Sequence, residues 1–283
     1  MKKIFAILGI VIGAFIVVGG TLIGVGFAMG AKNNINLFNG IVSLDFGRPE
    51  LVRMDYKNIE EFDSLYIDMD YGSVEIVKGD EYAVEYELYS DNIVCEVVGG
   101  KLTFKERRRN NFVMGFDLGW FGFRNKGSSY LKVYVPENRL QNVEIYTDMG
   151  SVDISGMSCE KLTVECDMGA IECKNVNTGR LYIDADMGGV NFTGTVTDKI
   201  EADVDMGSVS LAGWLDCDFD IDADMGSVDI VTYYSAASYR CNFDVGMGGK
   251  EIRDNGGTDS ETVHYMNIDC DMGGISVTHK SDK

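Results

Sequence analysis

Apolar and polar residues alternate with a period of two along most of the chain beyond residue 57. In the clearest stretch, Leu162, Val164 and Cys166 lead into a short turn, and Ile171 and Cys173 follow it. A period of two places every second side chain on the same face of a β-strand. The phase slips by one residue at the turn, as a corner requires if the strands on both sides are to face one interior. The pattern predicts short strands joined by corners.

The turn itself recurs at a fixed interval. Five copies of the form Asp-Met-Gly follow one another at intervals of 19 residues, and two further copies follow after 22 and 25 residues. A degenerate early copy is Asp70-Tyr71-Gly72-Ser73. Glycine supplies the positive φ that such a corner commonly needs. The seven later copies begin at Asp148, Asp167, Asp186, Asp205, Asp224, Gly246 and Asp271.

This periodicity predicts an all-β fold, a parallel β-solenoid of about 19-residue rungs. Successive rungs are then spaced about 4.8 Å apart and pair in parallel. The alternative is an antiparallel sandwich of short hairpins. The solenoid is favoured because equivalent residues keep their inward or outward role in every copy. Residues 143–279 form the regular repeat, and residues 56–142 form a less regular N-terminal β part.

The N-terminus carries a long uncharged segment. Residues 4–30 contain no charged side chain, and about 20 apolar residues suffice to cross a bilayer as a helix. The segment is too long for the apolar part of a cleaved signal peptide, so we predict a single transmembrane helix. Lys2 and Lys3 place the stub of residues 1–3 in the cytoplasm by the positive-inside rule. The C-terminal domain is then extracellular, after a juxtamembrane linker over residues 31–55.

The charge balance excludes one class of function. The chain has 25 Lys+Arg and 45 Asp+Glu in 283 residues, a formal net charge of −20. A nucleic-acid binder needs a basic patch, so we predict no nucleic-acid partner. Two His residues leave little room for histidine catalysis or a His-rich metal site.

The cysteines bear on the compartment. The seven Cys are an odd number for a secreted disulfide framework, which fits a cytosolic domain better than an exported one. We predict mostly free, buried thiols, because no two inward Cys fall in one column on adjacent rungs.

In a solenoid, one repeat position becomes a column of side chains. Two columns of carboxylates share one outward face, and at about 4.8 Å each neighbouring pair repels by roughly 0.9 kcal/mol in water. One hypothesis is that this double column binds Ca²⁺ or basic peptides. The alternative is that one column caps turns and the other keeps the surface solvated. The candidate residues are Asp148, Glu165, Asp167, Asp184, Asp186, Asp203, Asp205, Asp222, Asp224 and Asp244, and the columns continue to Asp269 and Asp271.

Seven of the 14 Met precede the turn glycine. Strict alternation points them inward as a gap-filling column, since Met is flexible and apolar. At a corner they instead form a soft surface stripe beside the acids, suited to cationic amphipathic peptides. The inward arrangement is the favoured expectation.

The segment 106–127 interrupts the strand pattern with a basic, aromatic loop. Basic residues beside exposed aromatics favour the surface of an anionic membrane. The same residues would equally suit docking on the acidic columns of the same or another subunit, or a long hairpin loop that folds back on its own scaffold. The candidate contact residues are Arg107, Arg108, Arg109, Phe116, Trp120, Phe121 and Phe123.

One family resemblance rests on these motifs. The run from Leu131 to Pro136, followed by repeats of the form apolar-x-apolar-x-small-x-x-Gly-x-Val/Ile-x-apolar, resembles the bacterial domain-of-unknown-function family known as putative adhesins. The likeness covers residues 57–279. It implies a β-solenoid, often membrane-anchored and related to the cell envelope, and it brings no catalytic residues. Met before the turn glycine departs from the family pattern, in which small polar residues are commoner.

The expected function is therefore non-enzymatic. We predict a membrane-anchored cell-surface protein, an adhesin or ligand-binding module whose partner is a glycan, peptide or protein. The alternative is an envelope-stress or regulatory accessory protein that binds a membrane partner or cationic peptides. No cofactor is expected apart from the Ca²⁺ hypothesis, and the oligomeric state and the ligand remain open.

Overall fold

The part of the chain that can be described is almost entirely β-strand. In a computed structural model of the protein, the described residues are 34–36, 43–45, 51–90, 92–106, 129–136 and 139–281. One turn of 3₁₀ helix, Ala236–Ser238, interrupts the strands. The strands are β1 (Asn34–Asn36), β2 (Ser43–Asp45), β3 (Leu51–Asn58), β4 (Ser64–Tyr71), β5 (Ser73–Lys78), β6 (Ala83–Tyr89), β7 (Ile93–Val98), β8 (Lys101–Glu106), β9 (Tyr130–Val135), β10 (Arg139–Met149), β11 (Val152–Ser155), β12 (Ser158–Met168), β13 (Ile171–Met187), β14 (Val190–Met206), β15 (Val209–Leu215), β16 (Asp218–Thr232), β17 (Tyr239–Asn255) and β18 (His264–Lys280).

The repeats stack in parallel, and each residue pairs with the residue one repeat further along the sequence. Leu162 pairs with Leu181, and Leu181 pairs with Ile200, so residues 19 positions apart lie side by side. This register confirms the parallel solenoid for the repeat region and rules out the sandwich of antiparallel hairpins there. β1 and β2 form a separate two-stranded antiparallel sheet.

The inward positions of the rungs form continuous apolar columns. Leu162, Leu181 and Ile200 are at most 1% exposed, and the column continues through Phe219 to Met266. Burial of each such side chain contributes about 1.5–3 kcal/mol. After the corner, Val190 and Phe192 are buried in the same way. These columns are the interior that the period-two pattern predicts.

The corner brings two backbones together too closely for a side chain. The N–H of Gly188 donates to the carbonyl oxygen of Met206 on the next rung, with 2.9 Å between N and O. A Cβ built on Gly188 would lie 1.5 Å from the carbonyl oxygen of Gly169, and the φ of Gly188 is +154°. Glycine is therefore required at this corner by contact as well as by conformation.

The last two rungs are not stacked in chain order. β18 pairs in parallel with β16 on one side and with β17 on the other, so the final strand lies between the two that precede it. Asp271 therefore follows Asp224 directly, and Gly246 lies at the end of the column and not within it. In chain order Gly246 comes between Asp224 and Asp271 and would interrupt the column, so the strand order keeps the column continuous.

The inward positions of β17 explain why it is the terminal strand. Lys250 pairs with buried Ile275, and Asp254 pairs with buried His279. A charged side chain at an inward position is unfavourable inside a solenoid and is commonly found on exposed edges. β17 can therefore occupy only the outer level.

The N-terminal end is closed differently, by antiparallel strands. β4 and β5 form a rung that pairs in parallel with β10 and β11, and on its other side with β8 and β9. β7, β6 and β3 then add antiparallel partners. β3 begins at Leu51, within the segment 31–55 that the sequence predicts as a linker, so strand structure replaces part of that linker.

The rung made of β8 and β9 differs from the others in the length of chain between its two strands. Its first strand ends at Glu106, and the chain resumes at Ser129, whose carbonyl oxygen accepts a hydrogen bond from Ser73 N–H. In the sequence, the basic aromatic segment 106–127 connects the two strands of this rung. Its contact residues, Arg107 to Phe123, lie outside the described residues.

No helix within the described residues is long and apolar enough to cross a membrane. The predicted transmembrane helix over residues 4–30 and the cytoplasmic stub 1–3 also lie outside the described part.

Replacing the corner glycine should disrupt the stacking. We expect Gly188→Ala to lower the free energy of unfolding by about 3 kcal/mol or more, because the new Cβ collides with the Gly169 backbone. Urea unfolding followed by circular dichroism measures the change.

Gly189→Ala is the matched control, because a Cβ at Gly189 has no heavy atom within 4 Å. Its effect should stay within about 0.5 kcal/mol. Equal effects of the two substitutions would refute the corner contact.

Candidate functional site

Two columns of carboxylates run along one edge of the solenoid, just before the corner. Glu165 pairs with Asp184, Asp184 with Asp203 and Asp203 with Asp222, so one carboxylate stands on each level. Asp222 and Asp244 both pair with Asp269, which completes the column. We call this the inner acid column: Glu165, Asp184, Asp203, Asp222, Asp269 and Asp244.

The second column lies two residues further along each strand, next to the corner. We call it the corner acid column: Asp148, Asp167, Asp186, Asp205, Asp224 and Asp271. These side chains are exposed to solvent. The structure thus brings together all ten acids singled out from the sequence, on one edge.

The carboxylates of the two columns affect one another. Burial raises the pKa of Asp203 and Asp222, and neighbouring acids in both columns raise each of them further. Glu165 shows the same order of causes, with burial first and Asp184 second. Burial also raises the pKa of Asp184, although a hydrogen bond from the Tyr182 hydroxyl opposes it. The side chains are close enough to interact as one charged surface.

Basic side chains compensate little of this charge. Within the described part of the chain, no Lys, Arg or His forms an ion pair with any member of the inner acid column. The bases on the same face pair with other acids, as Lys199 does with Glu201 and Asp220. The inner column is therefore a row of carboxylates without a basic ion-pair partner among the described residues.

A groove of about 480 Å³ runs over the C-terminal end of this face. Asp203, Asp222, Asp244 and Asp269 line it, together with Tyr182 and other residues. The groove is open to solvent, so it suits an extended ligand better than a small enclosed one.

The two acid columns do not form a preformed site of oxygen ligands for a hard metal ion. Among the described residues, no group of three or more His, Cys, Asp and Glu side chains is arranged to hold a metal ion. The Ca²⁺ hypothesis therefore gains no support from a preformed ligand set.

The methionines before the corner face solvent, so the expectation of an inward column is wrong. Met168 and Met187 are each 41% exposed, and Met247 at the end is 65% exposed. The reason is local: at the corner the preceding Asp and the Met both point outward, so the period-two alternation fails for one step. We call this the methionine column: Met149, Met168, Met187, Met206, Met225, Met272 and Met247.

The N-terminal end of the same face carries a cluster that the sequence pattern did not reveal. Lys101 and Lys105 lie over the ring of Tyr66, with Nζ 4.7 and 4.5 Å from the ring centroid. Tyr66 also packs on Tyr146, with ring centroids 5.5 Å apart. The pairing of β4 with β8 brings the two lysines to Tyr66, and the pairing of β4 with β10 brings Tyr146 there. The separation of these residues in sequence gives no periodic signal.

All seven cysteines are free, as predicted. Five are buried, Cys95 is half-buried and Cys241 is exposed, because β17 has no further rung to cover it. Burial raises the pKa of the Cys159 and Cys166 thiols to about 11.

Neutralising one inner acid should stabilise the protein. At pH 7 and low salt, we expect Asp203→Asn to raise the free energy of unfolding by about 1 kcal/mol, and the melting temperature with it. The reason is that Asp184 and Asp222 flank Asp203 in register. The raised pKa means that the folded state keeps a proton that the unfolded chain loses. Stability therefore falls as the pH rises from the ordinary Asp value of 3.8 through the raised folded value.

The gain from Asp203→Asn should accordingly shrink near pH 4 and in 0.5 M salt, which thermal melts across pH and salt will measure. Asp220→Asn is the control, because the Asp220 carboxylate lies 3.4 Å from Lys199 Nζ and its loss removes a partner. A destabilising Asp203→Asn would contradict repulsion within the column.

Several solved structures are similar to this chain. One is described as a "putative cell adhesion protein" from Clostridium sporogenes, with 13% identity and a TM-score of 0.37 over 82% of this chain and 100% of that one. Another is a "putative adhesin" from Bacteroides fragilis, with 14% identity and a TM-score of 0.39 over 81% of this chain and 97% of that one. A third is a "putative lipid binding protein" from Parabacteroides distasonis, with 17% identity and a TM-score of 0.28 over 83% and 98% of the two chains.

No curated protein sequence matches the chain. A family model, described as Toastrack DUF4097, matches residues 62–246. The match spans well over half of the 283 residues and includes both the N-terminal rungs and most of the repeat. The chain belongs to the Toastrack DUF4097 family.

Proposed function

We propose that the protein is a non-enzymatic, membrane-anchored cell-surface protein that binds extended cationic ligands along its two acid columns. The observation that carries the proposal is the inner acid column, which has one carboxylate per level and no basic partner among the described residues. A bound polycation would neutralise the repulsion between levels, which is roughly 0.9 kcal/mol per neighbouring pair in water.

The dimensions of the column favour a chain-like ligand. Its six levels from Glu165 to Asp244 span about 24 Å at the spacing of paired strands. An extended peptide covers that length with about seven residues. The open groove over Asp203, Asp222 and Asp269 continues the same surface. A peptide or polymer with several positive charges therefore fits the edge better than a small molecule does.

The chemistry of the edge supports a binding role. Its side chains are carboxylates and thioethers that face open solvent. Acid–base catalysis by paired carboxylates depends on an enclosed environment that moves their pKa values far apart. At this edge neighbouring carboxylates share one environment, and their pKa values move in the same direction.

Membrane anchoring by residues 4–30, with the solenoid outside the cell, is part of the proposal and rests on the sequence. The exposed Cys241 offers a test in intact cells, with Cys95→Ser to remove the half-buried thiol. Labelling by a membrane-impermeant maleimide before lysis supports the placement. Labelling that occurs only after lysis contradicts it, and loss of the label in Cys241→Ser identifies Cys241 as the labelled thiol.

A second candidate is an envelope-stress or regulatory accessory protein that contacts a membrane component. It is favoured by the basic and aromatic sequence that connects β8, which ends at Glu106, to Ser129, directly before β9. Binding of the chain to anionic vesicles that is lost in Trp120→Ala/Phe121→Ala would favour this candidate.

The first candidate predicts binding to a polycation through specific acids. We expect the full chain to bind fluorescent poly-L-lysine, and the triple variant Asp184→Asn/Asp203→Asn/Asp222→Asn to bind it at least tenfold more weakly. Fluorescence anisotropy at several salt concentrations measures both affinity and its salt dependence.

The matched control removes the same charge from another face. Asp153, Glu172 and Asp229 stand on the strands after the corner and point outward. Asp153→Asn/Glu172→Gln/Asp229→Asn should bind nearly as well as the wild type. Equal losses in both triple variants would show that net charge alone attracts the polycation, and the proposed site would be wrong.

A further inference from the structure

The methionine column is unbroken over seven consecutive levels. Met149 pairs with Met168, Met168 with Met187, and the pairing continues through Met206 and Met225 to Met272 and Met247. The insertion of β18 between β16 and β17 makes it continuous. From Met149 to Met272 these residues are 36–43% exposed, so the column lies at the solvent surface.

Nothing in the corner requires methionine at this position. The tight contact is made by the glycine and by the methionine carbonyl, which accepts the glycine N–H of the previous level. On the first glycine rung the same position is occupied by Tyr71, which pairs with Met149 and is 54% exposed. A row of exposed apolar side chains is unfavourable in water unless it contacts something.

The column places one methionine on each level, at a regular spacing along the solenoid. Neighbouring levels lie about 4.8 Å apart, and a zinc–sulfur bond, taken as a guide, is about 2.3 Å long. In a linear sulfur–metal–sulfur arrangement, one ion bonded to two sulfurs spans about 4.6 Å, close to the distance between levels. The methionine backbone is held by hydrogen bonds, whereas its unbranched side chain adjusts freely.

We propose that the methionine column binds soft monovalent metal ions, Cu(I) and its analogue Ag(I), between thioethers of adjacent levels. Thioether sulfur is a soft ligand that selects Cu(I) over hard cations such as Ca²⁺ and Mg²⁺. The corner acid column beside it raises the local concentration of cations without supplying soft ligands. The site uses methionine sulfur, whereas the proposed polycation site uses carboxylates, so either stands if the other fails.

The protonation chemistry separates this site from the cysteines. A thioether carries no proton, so its metal affinity is independent of pH, whereas a thiol must lose its proton to bind a metal. Five of the seven cysteines are buried in the core, and burial raises the pKa of the Cys173 thiol to about 12. Cys95 and Cys241 are the accessible thiols and are removed by substitution to Ser in the test.

The experiment observes the methionines directly. The sample is the full chain in detergent, with the substitutions Cys95→Ser and Cys241→Ser and with ¹³C at the methionine methyl groups. It is titrated with Ag(I) at pH 5.5 and 7.5. We expect the methyl resonances of the methionine column to shift at both pH values. The resonances of Met157 and Met266, which are at most 4% exposed, should stay in place.

A variant series ties uptake to these side chains. Met168→Leu/Met187→Leu/Met206→Leu/Met225→Leu keeps the side-chain volume but removes the sulfur, and its Ag(I) uptake should fall by at least half. Met157→Leu/Met266→Leu is the control and should bind Ag(I) like the parent. Circular dichroism confirms that each variant is folded.

Three outcomes would overturn the proposal. They are column resonances that do not shift at tenfold excess of Ag(I), uptake that persists in the fourfold Leu variant, and uptake that disappears at pH 5.5. Loss of polycation binding in the carboxylate variants has no bearing on these readouts, so the two proposals fail separately.

Discussion

The stacking of glycine corners is the constraint on which the rest of this structure depends. At the corners from Gly72 to Gly207 the glycine N–H donates to the methionine carbonyl of the next level, and an added Cβ at Gly169 or Gly188 would lie 1.5 Å from a backbone oxygen. Such a contact allows no slip of register, because sliding by one residue would bring a side chain into that space. The stack of glycine corners therefore sets the alignment of every column, whether apolar, acidic or thioether.

The alignment concentrates charge, and burial compensates for it. Each level buries several large side chains, such as Leu181, Ile183 and Phe192, each contributing about 1.5–3 kcal/mol. Repulsion between acids on adjacent levels costs roughly 0.9 kcal/mol per pair in water, and less with salt. On every level, burial of the apolar side chains therefore contributes more free energy than repulsion within the two acid columns costs. The edge retains negative charge that a cationic ligand would neutralise, beside sulfur that soft metal ions prefer.

Much of this arrangement can be predicted from the sequence, and there are physical reasons why the other features cannot. The 19-residue interval and the alternation predicted the parallel rungs, the inward residues and both acid columns. Alternation failed for Met168 and its equivalents, because two successive side chains point outward at the corner. The order of the last rungs was missed, although Lys250 and Asp254 at inward positions mark β17 as a terminal strand. The tyrosine and lysine cluster at Tyr66 depends on a pairing of distant strands, which no periodicity encodes.

The order of the last three strands tests the continuity of the columns most directly, because only the placement of β18 brings Asp271 beside Asp224 and Met272 beside Met225. Asp229 on β16 pairs with Ser276 on β18, whereas Glu251 on β17 pairs with Ser276 from the other side. Asp229 and Glu251 are then two levels apart, about 9.6 Å, beyond the reach of a disulfide. In a Cys241→Ser background under mild oxidation, we predict a cross-link for Asp229→Cys/Ser276→Cys and none for Asp229→Cys/Glu251→Cys. Cross-linking of the second pair without the first would show rungs stacked in chain order and contradict the account.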